Sequence, residues 1–204
     1  MLLEFVADRE SEYSRISRFL HDDVGQVLSA VGLQLDALRR EFSDAPQLGE
    51  RAAEIQALLE GVIGRIRDLS YELNPSVVQR TGLQFALNRL ADRFRARFSG
   101  MRVQLDPAVR VRPQQAETMF RAAEAVMELA CAHSECTNVD IYLKRVRNEF
   151  VLDLRANCTL NLETESRFPA LLANYYGNRN GAILTVNRAG EMDTIIRLSC
   201  AATD

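Results

Sequence analysis

The sequence predicts an α+β protein: an N-terminal antiparallel helical hairpin that dimerises into a four-helix bundle, followed by an α/β sandwich. Two patterns and one break carry that prediction. Up to Leu73, apolar side chains recur in steps of three and four, the helical period. Beyond Met101, short alternating runs typical of strands are interleaved with helical stretches. Between them stands Asn74-Pro75, and a residue that precedes proline is pushed out of the helical region. The expected domains are therefore 1–76, the helical hairpin, and 77–204, the sandwich.

The first helix is read from Tyr13, Ile16, Leu20, Val24, Val27, Val31, Leu35, Leu38 and Phe42, one apolar stripe without a proline. A break follows at Ser43-Asp44-Ala45-Pro46, where Ser or Asp can cap a new helix and Pro suits its first turn. The second stripe runs through Ala52, Ile55, Leu59, Val62, Ile66, Leu69 and Leu73. Two long helices joined by a short turn form a hairpin. A first helix from about Ser11 to Phe42 is about 45–50 Å long at about 1.5 Å per residue. A single hairpin cannot cover so long a stripe, so the expected unit is a homodimer.

In the second half, Thr81-Gly82-Leu83-Gln84 has a capping-box pattern. It is expected to open a helix bearing Leu83, Leu87, Leu90, Phe94 and Phe98 and ending at Gly100. Val103 and Leu105 suggest a short strand, and about Pro113 to Ala132 a helix. Val139, Ile141 and Leu143 alternate as a strand, paired across Arg147-Asn148 with Phe150, Leu152 and Leu154. A helix over 168–176 and strands at Ala182–Val186 and Thr194–Leu198 complete a mixed sheet with helices on one face.

Composition removes several function classes. The 204 residues are 47% hydrophobic, enough for a real core. A net charge of -3 argues against a nucleic-acid partner, which asks for a basic face. No apolar run approaches a membrane span and the start has no signal-peptide pattern, so the expectation is a cytoplasmic protein without direct membrane contact. Cys131, Cys136, Cys158 and Cys200 are too sparse for a disulfide framework. Cys131, His133 and Cys136 lack the second ligand pair of a zinc site, so no metal is expected and buried thiols are the default. The arginines 89, 93, 95 and 97 read as the solvated face of an amphipathic helix rather than as a docking surface.

The candidate chemistry lies in His21-Asp22-Asp23-Val24-Gly25-Gln26. His21 follows Leu20 and falls at the edge of the apolar stripe. A neutral imidazole nitrogen is a good nucleophile near neutral pH, as reversible phosphorylation requires. The adjacent Asp22 can orient the ring and accept its proton. Gln26, four residues beyond Asp22, shares a helix face with it and can hold a water in line with a phosphoryl group. Gly25 omits a side chain where a partner would approach. An exposed His with Asp and Gln neighbours is also what an ordinary solvated helix looks like; order and setting decide between the two.

The segment SRFLHDDVGQVLSAVGLQLDALRR closely resembles the dimerisation and phosphoacceptor helix of sensor histidine kinases with an H-D/E-x-x-G-Q signature, the class of the nitrate sensors and the lipid-desaturase regulator. LSYELNPSVVQRTGLQFALNRLADRF is similar to the exit of the family's second helix, and the order of elements from Met101 to Leu198 to its ATPase domain. The resemblance implies that His21 is phosphorylated, that Asp22 assists as base, and that Gln26 positions water to dephosphorylate a response regulator. It further implies that Leu20, Val24 and Val27 are bundle core and that a receiver domain docks around His21.

The nucleotide residues depart from that pattern. Glu124 matches the family's leading Glu, but Glu128 replaces the Mg²⁺-ligating Asn. Cys131-Ala132 stands where a basic residue and His are expected. The D-x-G-x-G turn is Arg155-Ala156-Asn157-Cys158-Thr159-Leu160, and the lid, Asn161 to Arg167, has no glycine. Close approach of a triphosphate to backbone N–H groups needs glycines, because a Cβ blocks it. The reading is therefore histidine phosphotransfer or response-regulator phosphatase activity through His21, with a degenerate nucleotide site and no expected cofactor. An active divergent histidine kinase using Mg-ATP and a non-catalytic, receiver-binding or heterodimerising scaffold are the alternatives. A scaffold would need none of His21, Asp22 and Gln26.

Overall fold

A computed structural model describes residues 2–42, 45–73, 77–162, 167–190 and 193–202. The chain divides into two compact units, Met1–Val77 and Val78–Asp204.

The first unit is helical. Helix α1 (Leu2–Arg18) runs through a π-helical turn (Phe19–Val24) directly into α2 (Gly25–Glu41), and α3 (Pro46–Leu73) returns alongside. The helix thus starts well before Ser11, because nothing between Leu2 and Ser11 breaks it: the segment has neither Gly nor Pro. Pro46 opens α3, a position where its missing N–H costs nothing. The expected caps Ser43 and Asp44, and the stop at Asn74-Pro75, lie outside the described residues.

The hairpin is antiparallel. Near one end Ser17 meets Ser70, and further along a Cβ on Gly32 would sit 3.4 Å from the Leu59 side chain. The serines form a buried reciprocal clasp. Ser17 Oγ donates to the Ser70 carbonyl at 2.9 Å, and Ser70 Oγ donates to the Ser17 carbonyl at 3.0 Å. Elsewhere the pair leaves its apolar side open. No residue of α2 is buried, and Val27, Leu33 and Leu58 are 62%, 73% and 69% exposed. Within one chain, then, Val27 is not core, and Leu20 and Val24 are only half-buried.

The second unit holds α4 (Val77–Thr81, which begins at the boundary), α5 (Leu83–Phe94), β1 (Val103–Leu105), α6 (Pro113–Cys131), β2 (Val139–Val146), β3 (Glu149–Ala156), α7 (Phe168–Gly177), β4 (Ala182–Arg188) and β5 (Thr194–Ala201). The sheet order is β1-β2-β3-β5-β4; β1 and β2 are parallel and the other pairs antiparallel. Register aligns Ile141 with Leu154 and Ile196, and Leu143 with Leu152 and Leu198. All six are buried, forming the face that α6 and α7 cover. Alanines 116, 122, 123, 125 and 130 keep α6 slim enough for close packing. Gly177 ends α7 against β4, where a Cβ would lie 2.3 Å from Leu184. Only glycine fits there, a packing reason beyond the helix end.

Two expectations need correction. Thr81 does not cap α5: it belongs to α4, and the cap position is Gly82, whose φ of 84° favours glycine. Gln84 instead donates its side-chain amide to the Val109 carbonyl. Helix α5 also ends at Phe94 rather than near Gly100; a turn then carries Phe98 into the core.

The sheet's other face carries a charge cluster that the alternation does not announce. Asp153 is fully buried, accepting from Arg197 Nε at 2.7 Å and from its terminal nitrogen at 3.0 Å, with Lys144 Nζ at 3.2 Å. Burial alone would raise its carboxyl; the two cations more than offset this and hold it below the usual carboxylate range.

Candidate functional site

His21 sits in the middle of the π-helical turn. Such a turn bonds i to i+5, and here the Gly25 N–H donates to the Leu20 carbonyl. A Cβ on Gly25 would stand 3.4 Å from that same carbonyl oxygen, so the glycine gives the widened turn room within its own chain. Single π turns inside α-helices are frequent at functional sites.

The His21 Nδ1 lies 3.0 Å from Asp22 Oδ1, both side chains being more than half exposed. A proton at Nδ1 donated to the carboxylate leaves Nε2 with its lone pair, free to attack an electrophile. His21 and Gln26 line one groove of about 380 Å³, together with Ser29 and, from α3, Arg67. Leu33, Ile63 and Ile66 supply part of its apolar wall. Asp22 reaches the site through the imidazole rather than from the groove wall. Ser29 Oγ donates to the Gly25 carbonyl at 2.8 Å, satisfying backbone beside the turn. His21 thus meets Asp22 through a hydrogen bond and Gln26 through the groove, while the π turn and Arg67 were not foreseen from the sequence. The spacing of Gly25 five residues after Leu20 is the signal that could have found the turn.

In the sandwich, the residues at the family's nucleotide positions are engaged with their own domain. Glu124 accepts from Arg93 at 2.9 Å and from Arg121 at 2.8 Å. Burial would push its carboxyl up; the two guanidinium groups hold it below the ordinary range. Arg93 is therefore an internal partner rather than a solvated face residue. Glu128 is half-buried. Asn157 Oδ1 accepts the backbone N–H groups of Thr137 and Asn138 at 3.0 and 2.8 Å, and its amide donates to Thr137 Oγ1 at 2.8 Å. Cys158, Leu160 and Leu162 are buried. Thr194 Oγ1 ties their backbone inward, accepting from Leu160 N at 2.9 Å and donating to the Cys158 carbonyl at 2.7 Å. Of the expected lid, residues 163–166 lie outside the described residues.

All four cysteines are free thiols, and among the described residues no three His, Cys, Asp or Glu side chains gather to hold a metal ion. Among those residues no helix is long and apolar enough to cross a membrane.

Comparison with known proteins places this geometry. The histidine kinase family HisKA_3 matches residues 12–78, which contain the whole His21 turn and all of α3. That segment of the chain is similar to histidine kinases of this family. The chain is 25% identical over 157 residues to the "Oxygen sensor histidine kinase NreB" of Staphylococcus carnosus (strain TM300). That match covers 76% of this chain but 45% of the relative, so the chain spans less than half of that protein. Among solved structures, it is similar to the histidine kinase domain of the Erythrobacter litoralis EL346 blue-light activated histidine kinase, with a TM-score of 0.53 and 15% identity. That likeness covers 96% of this chain and 94% of the other. A longer structure of the same kinase also matches at a TM-score of 0.53, over 86% of this chain and 60% of that one. At such identity these two show the fold alone: helices followed by a five-stranded sheet, as in histidine kinases.

Proposed function

We infer that this histidine-kinase relative moves or removes phosphoryl groups at His21 without drawing them from ATP. The observation that supports this most is the contrast in side-chain commitment. His21, Asp22 and Gln26 are exposed and assembled around one turn, whereas Glu124 and Asn157 spend their polar atoms on internal partners.

The partner is a response-regulator receiver domain carrying an aspartyl phosphate. In transfer, His21 Nε2 attacks phosphorus, an N–P bond forms, the P–O bond to the receiver aspartate breaks, and the carboxylate leaves. Asp22 holds the Nδ1 proton and stabilises the cationic ring. In the phosphatase direction, the Gln26 amide orients a water for in-line attack, giving inorganic phosphate and a free receiver carboxylate. The bundle is a homodimer, because Val27, Val31 and Ile55 of the apolar stripes stay exposed and a second hairpin would cover them.

The filled turn at Cys158, Leu160 and Leu162 supports weak or absent ATP binding, since buried leucines occupy a stretch that would need glycines to admit phosphates. The test uses a receiver domain phosphorylated from a small-molecule donor and mixed with the whole chain. Capture of label by wild type but not by His21→Ala is the expected sign of transfer; slower phosphate release with Gln26→Ala is the sign of phosphatase action. Identical receiver decay with wild type and both variants contradicts the proposal and favours the scaffold reading.

A further inference from the structure

Two thiols that phosphoryl chemistry does not use lie together where the sheet's β2–β3 hairpin opens. Cys158 is two residues beyond Ala156 and continues the inward face of β3; it is fully buried. Cys136 precedes β2, is 6% exposed, and is positioned by a bond from its N–H to the His133 carbonyl at 3.1 Å. Between them, the Asn157 amide clamps Thr137 and Asn138, and Asn157 N donates to the Asn138 carbonyl at 3.1 Å. Residues adjacent to both cysteines are therefore fixed against each other by four hydrogen bonds. Inside this clamp Cys136 Sγ lies 4.0 Å from the Asn138 carbonyl oxygen, and the two buried thiols act electrostatically on each other. Cys131 and Cys200 have no such clamp.

We propose that Cys136 and Cys158 form a reversible thiol–disulfide site that staples the open end of the β2–β3 hairpin when the protein meets a low-molecular-weight disulfide. The interaction between the two thiols sets the roles. The neighbouring Cys158 favours the Cys136 thiolate, while Cys136, together with burial, pushes the Cys158 thiol up. Cys136 is also the approachable member, since its neighbours Ser134, Glu135 and Thr137 are exposed. Its thiolate attacks one sulfur of oxidised glutathione; the S–S bond breaks and one glutathione thiolate departs and takes up a proton. Cys158 then gives up its proton to solvent and attacks the Cys136 sulfur, expelling the second glutathione. Two protein thiols are oxidised to one disulfide and one oxidised glutathione is reduced to two thiols.

The test exposes the folded whole chain to oxidised glutathione, alkylates free thiols, and maps linked peptides by mass spectrometry without reduction. The expected result is a Cys136–Cys158 linked peptide that dithiothreitol removes, with a Tm at least about 5 °C higher in the oxidised form. Cys136→Ser and Cys158→Ser should each abolish the link, while Cys131→Ser and Cys200→Ser should leave it intact. Glutathione retained on Cys131 without any Cys136–Cys158 link overturns the proposal. So does a link that forms only in denaturant. Because the wild-type map is the primary readout, a serine variant that fails to fold does not protect the idea.

Discussion

The two units treat their apolar residues in opposite ways. In the sandwich, Leu152 and Leu198 face each other across β3 and β5 and are wholly buried. In the hairpin, α2 buries nothing, and Leu33 is the most exposed large apolar side chain noted. The sandwich encloses its apolar residues in a core; the hairpin leaves many of its own exposed. Apart from the buried Ser17–Ser70 clasp of the hairpin, polar groups at the candidate sites divide the same way. Asp153, Glu124 and Asn157 are consumed by their own domain, whereas His21 and Asp22 are exposed and hydrogen-bond to each other.

The largest expected effect is on assembly. Val31→Glu combined with Ile55→Glu places charges on the exposed apolar stripes of the hairpin, so sedimentation should show a dimer becoming a monomer. The sandwich should keep its own thermal transition. A double variant that remains dimeric would break the comparison at its root. Next comes the core. Leu198→Ala should cost about 2–5 kcal/mol in denaturant unfolding of the sandwich, as a buried methyl-rich side chain leaves a cavity. Val27→Ala in the monomeric background should cost under about 1 kcal/mol, since little packing is lost.

A smaller effect belongs to Asp153. Asp153→Asn should cost about 1–3 kcal/mol near neutral pH, moderated because Arg197 and Lys144 are themselves 44% and 41% exposed. The sign of the pH dependence follows from the depressed carboxyl. Its contribution is complete above the unfolded carboxylate value of about 4 and is lost as pH falls through that value towards the lower folded one. Acid titration from pH 5 downward should therefore narrow the gap between wild type and Asp153→Asn. A constant gap would mean that the carboxylate's charge contributes nothing. The smallest effect is at Gly25→Ala. The new methyl would meet the Leu20 carbonyl at 3.4 Å while the helix gains from alanine, so the net stability change should stay within about 1 kcal/mol. A much larger loss would show that the π turn has no room for it.

Much of this was legible because the period of the apolar residues differs between the units. The stripe through Leu20, Val24 and Val31 and the alternation at Val139, Ile141 and Leu143 are one-dimensional signals of helix and strand. His21, Asp22 and Gln26 were legible because neighbours along a helix are neighbours in space. What the sequence hid depends on contacts between distant segments or on one extra residue in a turn. Ser17 and Ser70 are ordinary polar residues until the hairpin closes on them. Asp153 in Phe150-Val151-Leu152-Asp153-Leu154 gave a visible oddity, but its partners sit on two other strands. Thr81 misled because a local capping pattern carries no information about whether the preceding residues already form a helix.

We propose that His21 is a phosphoryl site in a chain whose Glu124 and Asn157 are committed to internal partners. This is tested most directly by incubating the whole chain with labelled Mg-ATP and following label on His21, with His21→Ala as control. The account predicts no label on His21 above that control, from a preparation that still captures or releases phosphate from a phosphorylated receiver. Label that accumulates on His21 from Mg-ATP and vanishes in His21→Ala would contradict it and make this chain an active kinase.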